Sequence, residues 1–397
     1  MKILFLTAEP PWPLNQGDKL RNYHLLKALA AEHEVTLVTF CLPGEESGSW
    51  REALSPLCRA VYAVPLNRHR MLLNVLRLPY LPVTMAARAS ARMARLLRRL
   101  TREQEFDVAY ACQLKTAGCL GHCATRLRVA DLTDAVSLYR RRMLRFARSW
   151  PAKAFGAIEA RRLAFWEKQV AQSADLTLVV SPVDAAVIQE TAPGARIAVL
   201  PNGVDLAHFR PLPDPGRPVL IFWGHLRYPP NADGIVWFCR EIFPRVREDV
   251  PEAELLITGK EPPPEVAALA ALPGVTLTGY VPDLRPYLAQ AAVVIVPLRF
   301  GAGTRLKILE AFAAGRPVVS TPLGCEGLEV QPGVHLEVAK DAEALAKATV
   351  DLLLDAPRRV HIAANARVLV EKKYSWEAIG QELRAVLVEN LFVSVRR

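Results

Sequence analysis

Short apolar runs alternate with longer amphipathic stretches along almost the whole chain. The runs are rich in Val, Ile, Leu and Phe and are bounded by Gly, Pro, Asn or Asp, the pattern of buried strands between turns. In the first half they predict strands at 2–7, 34–40, 61–66, 106–111, 128–132, 176–181 and 196–200. In the second half they predict strands at 219–223, 253–258, 275–280, 293–298 and 317–321. Helical periodicity fills the gaps, clearest at 20–31, 152–173 and 233–247. Strand and helix in alternation imply parallel sheets with crossover helices, an α/β fold in each half.

The stretch 211–218 reads Pro-Leu-Pro-Asp-Pro-Gly-Arg-Pro. Four prolines and a glycine make a stiff, non-helical connector. With 397 residues the chain exceeds what one core usually serves. The expected organisation is a first domain at 1–210, a second at 217–375, and an amphipathic C-terminal helix at 376–397.

Hydrophobic residues make up 51% of the chain and charged residues 23%, a globular balance. The seven cysteines include no Cys-x-x-Cys pair, which fits buried thiols in a reducing cytoplasm. Cys119, His122 and Cys123 form a small cluster that reads as helix packing rather than a metal site. No signal peptide is visible before the first strand, and no run reaches the roughly 20 apolar residues of a membrane span. The net charge of +10 is concentrated: 88–162 carries 17 Lys/Arg against 6 Asp/Glu. A solvated basic face is the plain interpretation. Leu-, Met- and Arg-rich pieces at 71–78 and 93–100 point further, to peripheral contact with an anionic membrane. No nucleic-acid module accompanies the charge, so nucleic acid is not expected as a partner.

The richest chemistry lies at 299–322. An apolar strand runs into a loop with Gly301 and Gly303, a helix is expected to open at Thr304 with Arg305 and Lys307 in its first turn, and Glu310 follows one turn on. Glycines let backbone N–H groups approach a ligand, and a helix N-terminus favours an anion. Two cations beside those amides suit a diphosphate. Without an anion they would be surface charges that oppose the helix dipole. Glu310 suits a hydroxyl pair such as a ribose diol, or an ion pair with Lys307 three residues earlier.

These residues, with others in order, resemble a retaining glycosyltransferase of the GT-B fold, similar to glycosyltransferase family 4. The matching pieces are Asn15-Gln16-Gly17 after the first strand, Pro201-Asn202-Gly203-Val204-Asp205, and Gly224 followed by Pro230-Asn231-Ala232-Asp233-Gly234. Thr278-Gly279-Tyr280-Val281-Pro282-Asp283 comes next, then the glycine loop through Glu310 and Gly315-Arg316-Pro317-Val318-Val319. Each is weak alone, while their order spans nearly the whole chain. The resemblance implies two Rossmann-like doubly wound domains facing a central cleft, with the C-terminal helix returning to the first. It also implies a hexosyltransferase-type enzyme using a nucleoside diphosphate sugar and an acceptor saccharide or lipid-linked saccharide, without cofactor or metal, in the cytoplasm with contact to the inner membrane face, for surface polysaccharide synthesis.

Residue by residue, it implies that Arg305, Lys307, Glu310 and Asp134 serve the reaction. Gly17, Gly224, Tyr280, Val281, Gly301, Gly303 and Thr304 would bind the donor, Tyr280 and Val281 by framing the base. Each has an ordinary alternative: Tyr280 as core packing, Gly17 as a turn residue, Asp134 as a cap for a helix near Ser137. Three positions depart from the family pattern. Ala302 stands where a first glutamate is common, Asn231 where a lysine is common, and Thr133-Asp134 where a His-Asp pair is common. An epimerase acting on a sugar nucleotide, or a non-catalytic binder of one, would share the donor loop.

Overall fold

The computed structural model describes residues 1–394 apart from 46, 47, 147, 148, 302 and 304, and at 393 and 394 the backbone alone. The chain packs into two compact units, Met1–Asn202 together with Ile379–Arg397, and Gly203–Ala378.

The first unit is built on strands β1 (Lys2–Thr7), β2 (Glu34–Cys41), β3 (Ala60–Pro65), β4 (Phe106–Cys112), β5 (Thr125–Thr133), β6 (Leu176–Val179) and β7 (Ile197–Val199). All pair in parallel, in the order β3-β2-β1-β4-β5-β6-β7. Strand order reverses between β1 and β4, the position outside whose C-terminal ends open α/β sheets take ligands. Alternate residues point to opposite faces. Leu4, Leu6, Ala109 and Ala111 join a core with Met93, Leu97 and Leu100 of the helix Ala91–Glu103, while Phe5 stacks on Tyr110 at 5.0 Å. The 93–100 piece therefore turns its apolar side inward, and its exposed face is arginine-rich. The 71–78 piece differs: in the helix Arg68–Arg77, Leu72 and Leu76 are 65% and 70% exposed.

A buried cation fastens this unit. Arg21 sits in the helix Gly17–Ala30 and is 1% exposed. Its Nε and Nη2 lie 3.1 and 3.0 Å from Asp131 Oδ2. It also donates to the carbonyls of Leu200 and Pro201 and to Asn202 Oδ1. Tyr110 donates to the same carboxylate at 2.6 Å. The C-terminal helix Trp376–Ser394 carries Arg384, which pairs with Glu32 at 2.9 Å and donates to Ala28 O. Asn390 of that helix accepts from Arg196.

The second unit has β8 (Val219–Trp223), β9 (Glu254–Thr258), β10 (Val275–Gly279), β11 (Val293–Val296), β12 (Val318–Ser320) and the two-residue β13 (Glu337–Val338). Its parallel order is β10-β9-β8-β11-β12-β13. Leu220, Phe222, Val293 and Ile295 enter one core, and Ile221, Trp223, Val294 and Val296 the other. Both faces are covered, so the strands read as continuous apolar runs.

Three sequence expectations shift. The units divide at 202/203, ahead of the proline-rich stretch. Val204 forms a parallel bridge with Ser375, and the Arg316 guanidinium donates to the carbonyls of Leu212 and Pro213. That stretch is thus built into the second unit. The helix expected at 233–247 is Pro229–Trp237, a wide turn at Phe238–Ile242, then Phe243–Asp249. Pro244 cannot donate a backbone hydrogen bond, which accounts for a break in the regular ladder there. The short β13 escapes notice because two residues carry no periodicity.

Candidate active site

In the second unit the strand order reverses between β8 and β11. Gly224 follows β8, and the glycine loop follows β11. The helix behind that loop is Leu306–Ala313, starting two residues later than expected. Arg305 is its cap, with φ −88° and ψ 96°, rather than a residue of its first turn. Extended backbone is the usual conformation of a helix N-cap, and Lys307 alone of the two cations lies in the first turn. Thr304, like Ala302, lies outside the described residues.

Two glycines make the close packing feasible. Gly301 has φ +136°, and a Cβ there would run into the Arg305 guanidinium. Gly224 has φ +150°, and a Cβ there would stand 2.8 Å from Asn231 Nδ2 and 3.6 Å from Lys307 Nζ. Gly303 is also left-handed, at +77°. Arg305 is 9% exposed. Gly224, Gly301, Gly303, Arg305 and Lys307 are thereby brought to one end of the β8–β11 pair.

Lys307 Nζ donates to Asn231 Oδ1 at 3.0 Å and lies 4.0 Å from the Phe222 ring centroid. Asn231 Nδ2 donates in turn to His225 O. Asn231, at the position where the family often has lysine, holds the remaining lysine in place. The ammonium is densely surrounded although the residue as a whole is half-buried. Burial lowers its pKa to about 7, the neighbouring Arg305 adds to the shift, and Glu310 opposes it.

Glu310 accepts from Trp223 Nε1 at 2.9 Å. Burial raises its pKa, while the Trp223 hydrogen bond and Lys307 pull it down. No ion pair joins Glu310 to Lys307 among the described residues; the indole takes that place. Arg299 is committed elsewhere, to Asp233 at 2.6 and 2.8 Å and over the Trp237 ring.

The remaining candidates are dispersed. Tyr280 is 67% exposed and follows the edge strand β10, so it is not core packing; Val281 is half-buried. Gly17 opens the Gly17–Ala30 helix in the first unit. Asp134 follows β5 and Thr133, whose φ is +67°. The helix after it, Val136–Met143, has Ala135 as its cap, and its Ser137 N–H donates to Glu167 Oε1 at 2.9 Å. Cys123 Sγ donates to Cys119 O, and burial pushes these thiols up to about 12 and about 11.

Sequence reasoning missed Trp223, whose partner is distant along the chain, and Glu167, 1% exposed on the long helix Trp150–Ser173. Burial pushes the Glu167 carboxyl up to about 7 against the hydrogen bonds from Ser137. Its signal, a glutamate among apolar positions of a helix, is too common to single out.

A model described as Glycosyl transferases group 1 matches residues 217–355, and one described as Glycosyltransferase Family 4 matches 21–208. An uncharacterized 44.6 kDa protein in the cps region of Klebsiella pneumoniae is 24% identical over 392 residues, 94% of this chain and 96% of that protein. A GDP-mannose-dependent monoacylated alpha-(1-6)-phosphatidylinositol monomannoside mannosyltransferase of Corynebacterium glutamicum is 28% identical over 213 residues, about half of each chain at 47% and 55%. Sucrose-phosphate synthase of Thermosynechococcus elongatus superposes with a TM-score of 0.73 at 20% identity, over 99% of this chain and 100% of that one. With two parallel sheets, a glycine loop at the switch point of the second and family models matched on both halves, the chain belongs to the group 1 glycosyltransferases of the GT-B fold.

Proposed function

We propose that this enzyme moves a hexose from a nucleoside diphosphate sugar to a hydroxyl of a saccharide or lipid-linked acceptor, with retention at the anomeric carbon, in the synthesis of a cell-surface polysaccharide. One observation carries the donor assignment. Lys307, depressed in pKa by burial, stands beside a second cation, Arg305, at a helix N-terminus, an arrangement that a bound anion would stabilise. A diphosphate supplies that anion. The same contacts are worth most when the C1–O bond breaks and the bonding pair stays on the diphosphate, so they stabilise the leaving group.

Glu310, held by Trp223, would accept from the ribose hydroxyls. Tyr280 and Val281 would frame the base. Gly17 and Asp134, on the first unit, would serve the transferred sugar and the acceptor. No covalent nucleophile is assigned; positioning supplies the rest. Arg305 and Lys307 take the part that a divalent ion plays elsewhere, so activity is expected to survive chelation. The GDP-mannose dependence and phosphatidylinositol mannoside of one relative, and the cps region of another, support the classes of donor, acceptor and product.

No helix among the described residues is long and apolar enough to cross a membrane. Peripheral contact on the cytoplasmic side is proposed for the basic, leucine-bearing face of Arg68–Arg77. Co-sedimentation with anionic vesicles at low salt tests it, and absence of the protein from the pellet removes it. The donor reading is tested by thermal shift against a panel of nucleoside diphosphates and their sugars, where a matching ligand raises the midpoint. A flat response across the panel for wild type, or an unchanged response in Arg305→Ala, defeats the assignment.

A further inference from the structure

A cavity lies wholly within the first unit, at the C-terminal ends of β1, β2 and β3. Its volume is about 400 Å³, within the range of small-molecule sites. Its walls include Glu9, Trp12, Lys19, Trp50, Leu66 and Arg88.

The walls are of two kinds. Trp50 is 6% exposed and rigid: its Nε1 donates to Glu45 O at 2.7 Å, and the Arg51 guanidinium lies over its ring. Trp12 is half-buried and packs against Tyr23 at 5.7 Å. Aromatic faces of this kind suit the C–H face of a sugar ring. The charged wall is uneven. Lys19 is paired with Glu9 at 3.7 Å. Arg88 is half-buried, yet among the described residues its guanidinium makes one hydrogen bond, a long one from Nε to Ala8 O at 3.4 Å. Among the described residues no hydrogen bond or ion pair engages its two terminal nitrogens. Burial lowers its pKa, with Glu9 opposing. A guanidinium desolvated with its donor fork open is stabilised most by a planar or tetrahedral oxyanion.

We propose that this pocket binds an acidic sugar of the acceptor, its carboxylate or phosphate on the Arg88 fork and its ring against Trp12. The inference rests on reading the first unit as the acceptor side, and it adds a charge requirement that the family assignment does not contain. A neutral saccharide leaves the terminal nitrogens of Arg88 to water, with Glu9 as its charged neighbour on this wall, so the pocket should discriminate by charge. Inorganic anions satisfy Arg88 but leave the aromatic wall empty.

The test is a titration of the full chain, without donor, by D-glucuronate, glucose 6-phosphate, glucose and inorganic phosphate, read by intrinsic tryptophan fluorescence and thermal shift. At least one acidic sugar should saturate in roughly the millimolar range, with glucose and inorganic phosphate each about tenfold weaker or more. The two acidic arms tell carboxylate from phosphate. Arg88→Gln should erase the preference for the acidic sugar, Arg88→Lys should keep part of it, and Trp12→Phe should remove the fluorescence change. All three should keep the wild-type response to nucleoside diphosphates, which separates this site from the donor reading and confirms folding. The proposal is overturned if neither acidic sugar saturates, if glucose or phosphate binds as tightly, or if Arg88→Gln keeps the preference.

Discussion

The indole of Trp223 donates to Glu310 Oε2 at 2.9 Å, tying the last residue of β8 to the helix behind the glycine loop. The bond fixes one carboxylate oxygen and so sets where the other points. If Glu310 receives the ribose diol, Trp223→Phe keeps the apolar ring but releases the carboxylate. The expected result is a loss of about tenfold in the preference for a ribonucleoside diphosphate over its 2′-deoxy analogue. Competition binding with the two nucleotides measures it. An unchanged ratio in the variant would mean that the indole merely packs.

Lys307 gives a pH signature. Its pKa of about 7 in the free protein lies far below the ordinary 10.5, so above pH 7 much of it is neutral. A bound diphosphate restores the charged form, so binding takes up a proton. One unit above that pKa, uptake should approach one proton per nucleotide; one unit below, it should fall toward zero. Calorimetry in two buffers of different ionisation enthalpy reads the difference. Lys307→Gln should abolish the uptake at the higher pH and weaken binding by about tenfold or more. Protonation of the nucleotide itself persists in the variant and so subtracts out.

The architecture was legible because buried parallel strands advertise themselves: Val293–Val296 and Val219–Trp223 are unbroken apolar runs between turn residues. The glycine loop was legible for a different reason, since only glycine tolerates φ values such as +136° at Gly301 beside a packed guanidinium. What could not be seen were partnerships set by the fold. Lys307 and Glu310 stand at helical spacing, which predicts an ion pair. The helix Pro229–Trp237 instead delivers Asn231 to one, and the last residue of β8, Trp223, goes to the other. The apolar residues at 93–100 looked like those at 71–78, yet only tertiary packing decides which set is covered.

Glu167 makes the stability of the first unit depend on pH in the unusual direction. Its carboxyl is raised from 4.5 to about 7 by burial, so between those values the folded state holds a proton that the unfolded chain has lost. Stability from this group is therefore present below pH 4.5 and is lost as pH rises through 7. Glu167→Gln keeps an oxygen to accept from the Ser137 N–H and carries no charge to desolvate. The variant should gain on the order of 2–3 kcal/mol above pH 7 and little near pH 4. Denaturant unfolding at the two pH values checks this; equal effects at both would show that the carboxyl is not the titrating group.

The Arg21–Asp131 pair should behave as a buried charge that cannot lose its partner. Both side chains are within 2% of full burial. Arg21 binds Asp131 on β5 and, through Leu200, Pro201 and Asn202, the segment that ends the first unit. Arg21→Met strips the carboxylate of its cation and leaves three acceptors in the 200–202 segment without it, at a cost of about 3–5 kcal/mol. Asp131→Asn leaves Arg21 its three acceptors, but the single amide oxygen can serve either Tyr110 and Arg21 or the Thr133 N–H, so this change is destabilising as well. In the double variant no charge is left unpaired, so its loss should fall short of the sum of the single losses by roughly 2 kcal/mol or more. Chemical denaturation of the four proteins closes the cycle. Additive losses would show that Arg21 acts through its carbonyl contacts and that the ion pair itself contributes nothing.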